Sequence, residues 1–160
     1  MRLPVITTDG KFIARYTDAG LAELNFPTTG RASTRAVKGE IISANIRRWH
    51  RVTEAAVKNI LAGRAPKHLP PLDLAGTAFQ KQVWNALRKI PAGQTKSYGE
   101  IARAIGRPRA IRAVGGACGA NPVPLLVPCH RVLAAGKKLG GFSGGLDWKR
   151  RLLVGEGVGW

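Results

Sequence analysis

The spacing of apolar residues changes along the chain, from short runs near the start to helical periodicity further on. In KFIARYTDAGLAELNF, two apolar runs flank the polar tetrapeptide TDAG. This pattern is typical of a β-hairpin, and it predicts two strands joined by a turn at Asp18–Gly20. Apolar residues then recur at helical spacing: Ile42, Ile46, Trp49, Ala56, Val57, Ile60 and Leu61. They predict one amphipathic helix that ends near Gly63.

A proline-rich segment, APKHLPPLDLAG, follows this helix and has no periodicity. It is typical of a linker that ends near Gly76. The pattern therefore predicts two domains, an α/β N-terminal domain with its linker over residues 1–73 and a mainly α-helical domain over 74–160.

Two capping boxes mark helix starts in the second half. TAFQ places Thr77 three residues before Gln80, and SYGE places Ser97 three residues before Glu100. The first opens a helix whose buried stripe consists of Phe79, Val83, Trp84, Leu87 and Ile90. The second opens a helix that ends at Gly106. A short turn and a further helix, IRAVGGACGANP, follow, and two short helices so joined predict a helix-turn-helix.

The last of these helices is made almost entirely of alanine and glycine, although each glycine costs a helix up to about 1 kcal/mol relative to alanine. Small side chains allow either tight helix–helix packing or close docking of the backbone against a partner such as DNA. Arg112 is the one long charged side chain on the stretch. The helix has few polar side chains for reading base edges, so it suits insertion and shape recognition better than sequence recognition.

The net charge of the chain is the most informative part of its composition. Lys and Arg number 26 against nine Asp and Glu, a formal net charge of +17 with a pI near 11.3. Such a field favours polyanionic partners, above all nucleic acid; a solvated surface or a ribosome-associated protein is the alternative. The start, MRLPVITTDG, lacks the apolar run of a signal peptide, and no stretch approaches the roughly 18 apolar residues of a membrane span. We therefore expect an intracellular protein.

The chain has two cysteines, Cys118 and Cys129. They do not suggest a disulfide framework, and no CxxC or HxxxH spacing predicts a metal site. Cys129 precedes His130 in PCHR, and a cysteine beside a base is either a nucleophile or a small buried hydrophobe. Adjacent side chains often diverge, so any proton transfer would be direct or through one water. Glu156 is a candidate to orient the histidine.

One long run now stands out: GTAFQKQVW, IPAGQTKSYGEIARAIGRPRAIRAVGGACGANPVPLLVPCHRV, GFSGG and a final EG. It closely resembles the O6-alkylguanine-DNA alkyltransferases, or methylated-DNA–protein-cysteine methyltransferases, over about residues 74–157. The PCHR, SY, RAVG and NP motifs occur in the family's order and spacing. The N-terminal half resembles the family's first domain only loosely.

The resemblance implies a role for each motif residue. Cys129 would accept the alkyl group from guanine O6 irreversibly, with His130 as the base acting through a water and Glu156 orienting it. Tyr98 would lie at the DNA phosphate and donate a proton to the leaving guanine. Asn121 would hinge the recognition helix onto the cysteine turn, and Arg131 would be mainly structural.

The resemblance also implies DNA and pocket contacts. Arg112 would enter the duplex in place of the extruded base, with Ala113 and Gly115 on the same minor-groove helix. Ser143 would hydrogen-bond guanine O6. The remaining pocket residues would be Pro124, Val132, Phe142 and Gly144. Phe142 occupies a position where many members have tyrosine, so a polar contact is lost there.

The implied protein is a single-turnover DNA repair methyltransferase that flips the damaged base, needs no cofactor or metal and acts on double-stranded DNA carrying O6-alkylguanine. O4-alkylthymine as a second substrate and cooperative binding along DNA are left open. The implied fold is a ribonuclease-H-like α/β domain, a small antiparallel sheet plus helix, followed by a helix-turn-helix domain. We expect a monomer in the cytoplasm, associated with the nucleoid in a prokaryote. A non-catalytic lesion binder, a transcription factor and a cysteine hydrolase are the alternatives.

Overall fold

The computed structural model describes residues 1–28 and 39–159. Its first element is a three-stranded antiparallel sheet in the order β1-β2-β3, formed by Arg2–Thr7, Gly10–Tyr16 and Leu21–Asn25. The predicted hairpin is β2–β3, and its turn is closed by the Thr17 N–H donating to the Gly20 carbonyl at 2.9 Å. The hairpin prediction is therefore confirmed.

Strand β1 was not predicted from the sequence. It contains Pro4, and Val5 is its one fully buried side chain, so its apolar alternation is weak. Pairing with β2 over the whole strand, from Arg2 opposite Arg15 to Thr7 opposite Gly10, is what forms it. Backbone pairing with β2 therefore stabilises a strand that the side-chain pattern alone does not predict.

The predicted long helix is α1, Ala44–Leu61. Ser43 caps its first turn by accepting a hydrogen bond from the Ile46 N–H at 3.2 Å. Ile42, which the periodicity had included, therefore lies just before the helix. The chain leaves the other end through Gly63 at φ +74°, a conformation that favours glycine. The helix packs its apolar face on β1.

The proline-rich segment after α1 is held against the sheet edge. The Leu21 N–H donates to the Pro71 carbonyl at 2.8 Å, and the Asp73 N–H donates to the Leu21 carbonyl at 2.9 Å. The Thr17 hydroxyl also donates to the Asp73 carboxylate at 2.5 Å. The segment thus covers the start of the free edge of β3, where the backbone groups of Leu21 would otherwise be unpaired.

The second half contains the helices that the capping boxes predicted. Helix α2 is Ala78–Leu87 and α3 is Tyr98–Ala104, and both boxes form in full at Thr77 and Ser97. Ile90 is buried but lies beyond the end of α2. Helix α4, Ile111–Gly119, follows a short turn and packs on α2 and α3. The Trp84 indole N–H fixes α2 to α4 by donating to the Ala117 carbonyl at 2.8 Å.

Two short parallel strands, β4 (Lys96–Ser97) and β5 (Val132–Leu133), and a last helix, α5 (Leu146–Gly155), complete the described chain. One hydrophobic core runs through both halves, from Val5 and Phe12 in the sheet to Val132 and Leu152. No helix among residues 1–28 and 39–159 is long and apolar enough to cross a membrane. The small sheet and helices agree with the predicted fold class. The ribonuclease-H-like and helix-turn-helix assignments and the division at residue 73 stay predictions.

Candidate active site

The segment that carries Cys129 is buried almost throughout and tightly turned. Pro128 has φ −81° and ψ 65°, the geometry of an inverse γ-turn, and the Cys129 N–H accordingly donates to the Val127 carbonyl at 2.8 Å. Leu125, three residues earlier, is buried at φ +73°, which is a strained backbone for a leucine. Proline at 128 and the packing around Leu125 therefore hold the cysteine in one position, at the start of a 3₁₀ turn, Cys129–Arg131.

Asn121 connects the end of α4 to this turn. Its side-chain amide donates to the Val127 carbonyl at 2.8 Å, and its Oδ1 accepts from the Val123 N–H at 3.0 Å. These bonds satisfy backbone groups that are buried and have no helix or sheet partner. Asn121 therefore holds the backbone just before Cys129 against the end of α4.

His130, Arg131 and Glu156 form a buried cluster behind the cysteine. His130 Nε2 lies 2.9 Å from Glu156 Oε1, and both side chains are buried, at 0 and 2 % exposed. Arg131 grips the same carboxylate through Nε and one terminal nitrogen, at 2.7–3.2 Å, and its other terminal nitrogen donates to the Ile90 carbonyl at 2.7 Å. The carboxylate is fixed between two partners, so the ring plane of His130 is fixed as well.

The protonation states of this cluster follow from its contacts. Burial disfavours the charged carboxylate of Glu156, but the hydrogen bonds from His130 and Arg131 outweigh it and lower the pKa to about 2. Burial lowers the pKa of His130 despite the neighbouring carboxylate. The ionised carboxylate accepts a hydrogen bond from the Nε2–H of His130. Nδ1 of the neutral ring is therefore unprotonated and carries the lone pair. Among the described residues, that Nδ1 has no hydrogen-bond partner.

Burial also raises the pKa of the Cys129 thiol, against the hydrogen bond from Asn121 and the positive charge of Lys149. Cys129 is 4 % exposed. The resting cysteine is therefore a protonated thiol next to a residue whose unprotonated ring nitrogen has no partner among the described residues.

Lys149 is a site residue that the sequence analysis did not identify. Its side chain is fully buried, and Nζ donates to the carbonyls of Val132 at 2.7 Å and Gly141 at 3.3 Å. Burial lowers its pKa, while the two cysteines would raise it when ionised. The sequence did contain a signal that Lys149 is buried. It lies three and four residues before the apolar Leu152 and Leu153, and so shares their buried helix face. It ties the loop before α5 to the strand after Cys129.

Tyr98 is half-buried at the start of α3 and faces both cysteines. Burial, and then the neighbouring Cys118 and Cys129, raise the pKa of its hydroxyl. The same hydroxyl lies against the backbone of Gly140, where a Cβ atom would come within 2.8 Å of it. Tyr98 therefore keeps its proton at neutral pH and borders the loop that Lys149 holds.

The outer face of α4, which we call the bare face, is exposed to solvent. Arg112, Ala113, Gly116 and Gly119 are exposed and Gly115 is partly so, while Val114, Ala117 and Cys118 are buried. A Cβ atom added at any of the three glycines would meet no other atom within 4 Å. Packing inside the described chain therefore does not require these glycines, which removes the helix–helix packing interpretation for them.

A cleft of about 590 Å³ lies between the end of β3 and the loop before α5. Of the predicted pocket residues it includes Pro124, Ser143 and Gly144, and Asn121 also borders it. Val132 is buried in β5, and Phe142 packs its ring on Phe26. Cys129 is not among the described residues that line the cleft.

Comparison with known proteins gives the family. Residues 78–158 match the family model described as 6-O-methylguanine DNA methyltransferase, DNA binding domain. A methylated-DNA–protein-cysteine methyltransferase of Mycolicibacterium paratuberculosis is 59 % identical over 83 residues, and an inducible one of Bacillus subtilis is 50 % identical over 97. These alignments cover 52 and 61 % of this chain and 50 and 54 % of the relatives. The chain thus aligns with about half the length of the curated relatives it matches.

Solved structures extend the similarity to the whole fold. Mycobacterium tuberculosis OGT, crystallised in complex with DNA, is 36 % identical with a TM-score of 0.75, over 96 % of this chain and 90 % of that one. An O6-methylguanine DNA methyltransferase from Methanococcus jannaschii is 28 % identical with a TM-score of 0.73, over 99 % and 95 %. The matched domain together with the fold shared along nearly the full length shows that this chain belongs to the 6-O-methylguanine DNA methyltransferase family.

Proposed function

We propose that this protein repairs DNA by direct reversal, taking the alkyl group from O6-alkylguanine onto Cys129 in a single turnover. The observation that carries the proposal is His130, the residue after the buried Cys129, whose Nε2 is held by Glu156 and whose Nδ1 is unbonded among the described residues. A base oriented in this way beside a nucleophile is the arrangement used in cysteine catalysis.

The proton leaves the thiol first. It passes to His130 Nδ1, directly or through one water, and the adjacent carboxylate of Glu156 stabilises the imidazolium that results. Lys149 and the amide of Asn121 stabilise the thiolate, since both lower the pKa of Cys129. Arg131 keeps Glu156 ionised and in place.

The thiolate then displaces guanine from the alkyl carbon. The Sγ–C bond forms as the C–O6 bond breaks, and the electron pair of that bond passes to the guanine ring. A proton from the Tyr98 hydroxyl, which is protonated at neutral pH, neutralises the leaving base, and the proton that His130 took from the thiol then restores the Tyr98 hydroxyl through solvent. The thioether product is stable and the DNA itself is the alkyl donor, so no cofactor is needed and no turnover follows.

The damaged base must leave the duplex to reach Cys129, because its alkyl carbon is otherwise held within the base stack. The bare face of α4, with Ala113, Gly115 and Gly116, suits close docking into the minor groove, with α3 and α4 acting as a helix-turn-helix. Arg112 fills the gap that the base leaves. The net charge of +17 supplies attraction to the phosphates.

The flipped base would occupy the cleft beside the turn. Ser143 would hydrogen-bond guanine O6, and Pro124, Val132, Phe142 and Gly144 would wall the pocket. We further propose a ribonuclease-H-like domain over residues 1–73 and a DNA-binding domain over 74–160, acting as a monomer on double-stranded DNA in the cytoplasm.

The test is to mix the protein with a duplex carrying one O6-methylguanine and measure the intact mass and the tryptic map. We expect one methyl group per protein, on Cys129, with no turnover. Cys129→Ala should bind the duplex and gain nothing, whereas Cys118→Ala should still gain one methyl group at Cys129. Tight binding without a mass change in the parent protein would identify a lesion binder and overturn the proposal.

A further inference from the structure

The loop at the proposed pocket is packed against the N-terminal half of the chain through aromatic rings. Phe26, just after β3, lies 5.5 Å from the Phe142 ring and 5.2 Å from the Trp148 ring, centroid to centroid. Phe12 of β2 lies 5.4 Å from Phe26 and 5.7 Å from Trp148. Rings at these distances, tilted or edge-to-face, interact favourably beyond the area they bury. Phe26 is thus braced on both sides.

Gly144 contacts the same ring from the loop. A Cβ atom at Gly144 would lie 2.7 Å from a ring carbon of Phe26, well inside van der Waals contact. The backbone of Gly144 is not in the left-handed region, so what excludes a side chain there is the ring and not the conformation. Gly141, in the same loop and also outside that region, has open space where its Cβ would be.

The loop is therefore held at two ends. Gly140 lies against the Tyr98 hydroxyl, and Gly144 lies against Phe26. Between these contacts are Phe142 and Ser143, and Asn25, Phe26 and Pro27 line the same cleft as Ser143. The second contact comes from the N-terminal half, outside the matched family domain at 78–158.

We propose that Phe26 is a positioning residue that sets the width of the substrate pocket, because its braced ring fixes the distance between the end of β3 and the Phe142–Gly144 segment. The inference rests on the proposed function. A smaller side chain at 26 lets the loop move away from Pro124, so the pocket accepts bulkier alkyl groups but holds a methylated base less well. The N-terminal half thereby contributes to substrate selection without touching the reacting atoms.

The experiment is a double-mutant cycle between Phe26 and Gly144. Rates of single-turnover transfer are measured for the parent, Phe26→Ala, Gly144→Ala and the double variant, with free O6-benzylguanine and with an O6-methylguanine duplex. We expect Gly144→Ala to slow both reactions by about tenfold or more, as overpacking against a fixed ring implies, and Phe26→Ala to restore most of that loss. Phe26→Ala alone should raise the benzyl-to-methyl rate ratio.

Gly141→Ala is the matched control, and it should change the rate by the same factor in both Phe26 backgrounds. Thermal unfolding of every variant identifies general destabilisation, and Phe26→Leu replaces Phe26→Ala in the cycle where the alanine variant is unstable. Equal loss from Gly144→Ala in both backgrounds, or an unchanged benzyl-to-methyl ratio, would overturn the inference while leaving alkyl transfer intact. Absence of any transfer by the parent would instead overturn the proposed function, and this inference with it.

Discussion

Two regions next to the proposed site differ in whether their side chains have partners within the protein. Behind Cys129, each of the polar side chains Asn121, Arg131, Glu156 and Lys149 is bonded within the protein. The outer face of α4 carries alanine and glycine that nothing in the described chain covers. The first region is held by hydrogen bonds and an ion pair within the protein, and the second is exposed in the described chain. Substitutions should therefore cost the most stability in the first region, whereas in the second their main cost should be to the reaction with DNA.

The largest effect is expected at Glu156. Glu156→Gln removes the partner of the buried Arg131, and breaking a buried ion pair costs about 3–5 kcal/mol of unfolding free energy. Urea unfolding measures it. The matched control is Glu54→Gln, which removes a partly exposed pair with His50 and should cost under about 1 kcal/mol. Equal costs at the two positions would contradict the contrast between the buried cluster and the surface.

Acid should destabilise the buried cluster in a defined pH range. The folded pKa of Glu156 is about 2 against 4.5 for the free group, so its contribution is complete above pH 4.5 and is lost as the pH falls towards 2. The pKa of His130 is also lowered, so its contribution begins to fall below pH 6.5. Unfolding free energy measured against pH should decline across this range, and more steeply in the parent than in Glu156→Gln. A parallel decline in both proteins would show that the cluster is not responsible.

Substitution of Arg112 should separate reaction with DNA from reaction with a free base. We expect Arg112→Ala to slow transfer from duplex DNA by about tenfold or more, equivalent to about 1.4 kcal/mol of transition-state stabilisation, and to leave free O6-benzylguanine and the melting temperature unaffected. Arg109→Ala removes an exposed charge from the turn before α4 and serves as the control for net charge. If both variants lose the same factor, Arg112 acts only through its charge.

The smallest effect, of opposite sign, is expected at the bare face. Gly116→Ala should stabilise the free protein by up to about 1 kcal/mol, because its Cβ meets nothing and alanine favours the helix. The same change should slow duplex transfer by holding the backbone away from the DNA. Gly106→Ala has equal space but φ +74°, so it should destabilise. Faster duplex transfer by Gly116→Ala would contradict docking through this face.

Local signals account for most of the helices. The side chains of Thr77 and Ser97 each bond a backbone N–H three residues away, so both helix starts can be predicted from four residues. The periodicity of α1 was equally local, and its error at Ile42 is within the one or two residues by which helix boundaries vary. The PCHR segment and the motifs around it likewise predicted the family to which the chain belongs, and they supplied the candidate site residues.

Tertiary structure alone decided the rest. Strand β1 exists because β2 pairs with it, and β4 and β5, of two residues each, are too short to leave a pattern. Lys149 is buried against the usual preference of lysine because two backbone carbonyls, from Val132 and Gly141, converge on its ammonium group. The sequence thus determined the charge, which depends on composition alone, and most of the helices, since these depend on neighbours a few positions apart; the reactive residues stay a prediction. The contact between Phe26 and Gly144 joins positions more than a hundred residues apart, and only the folded chain brings them together.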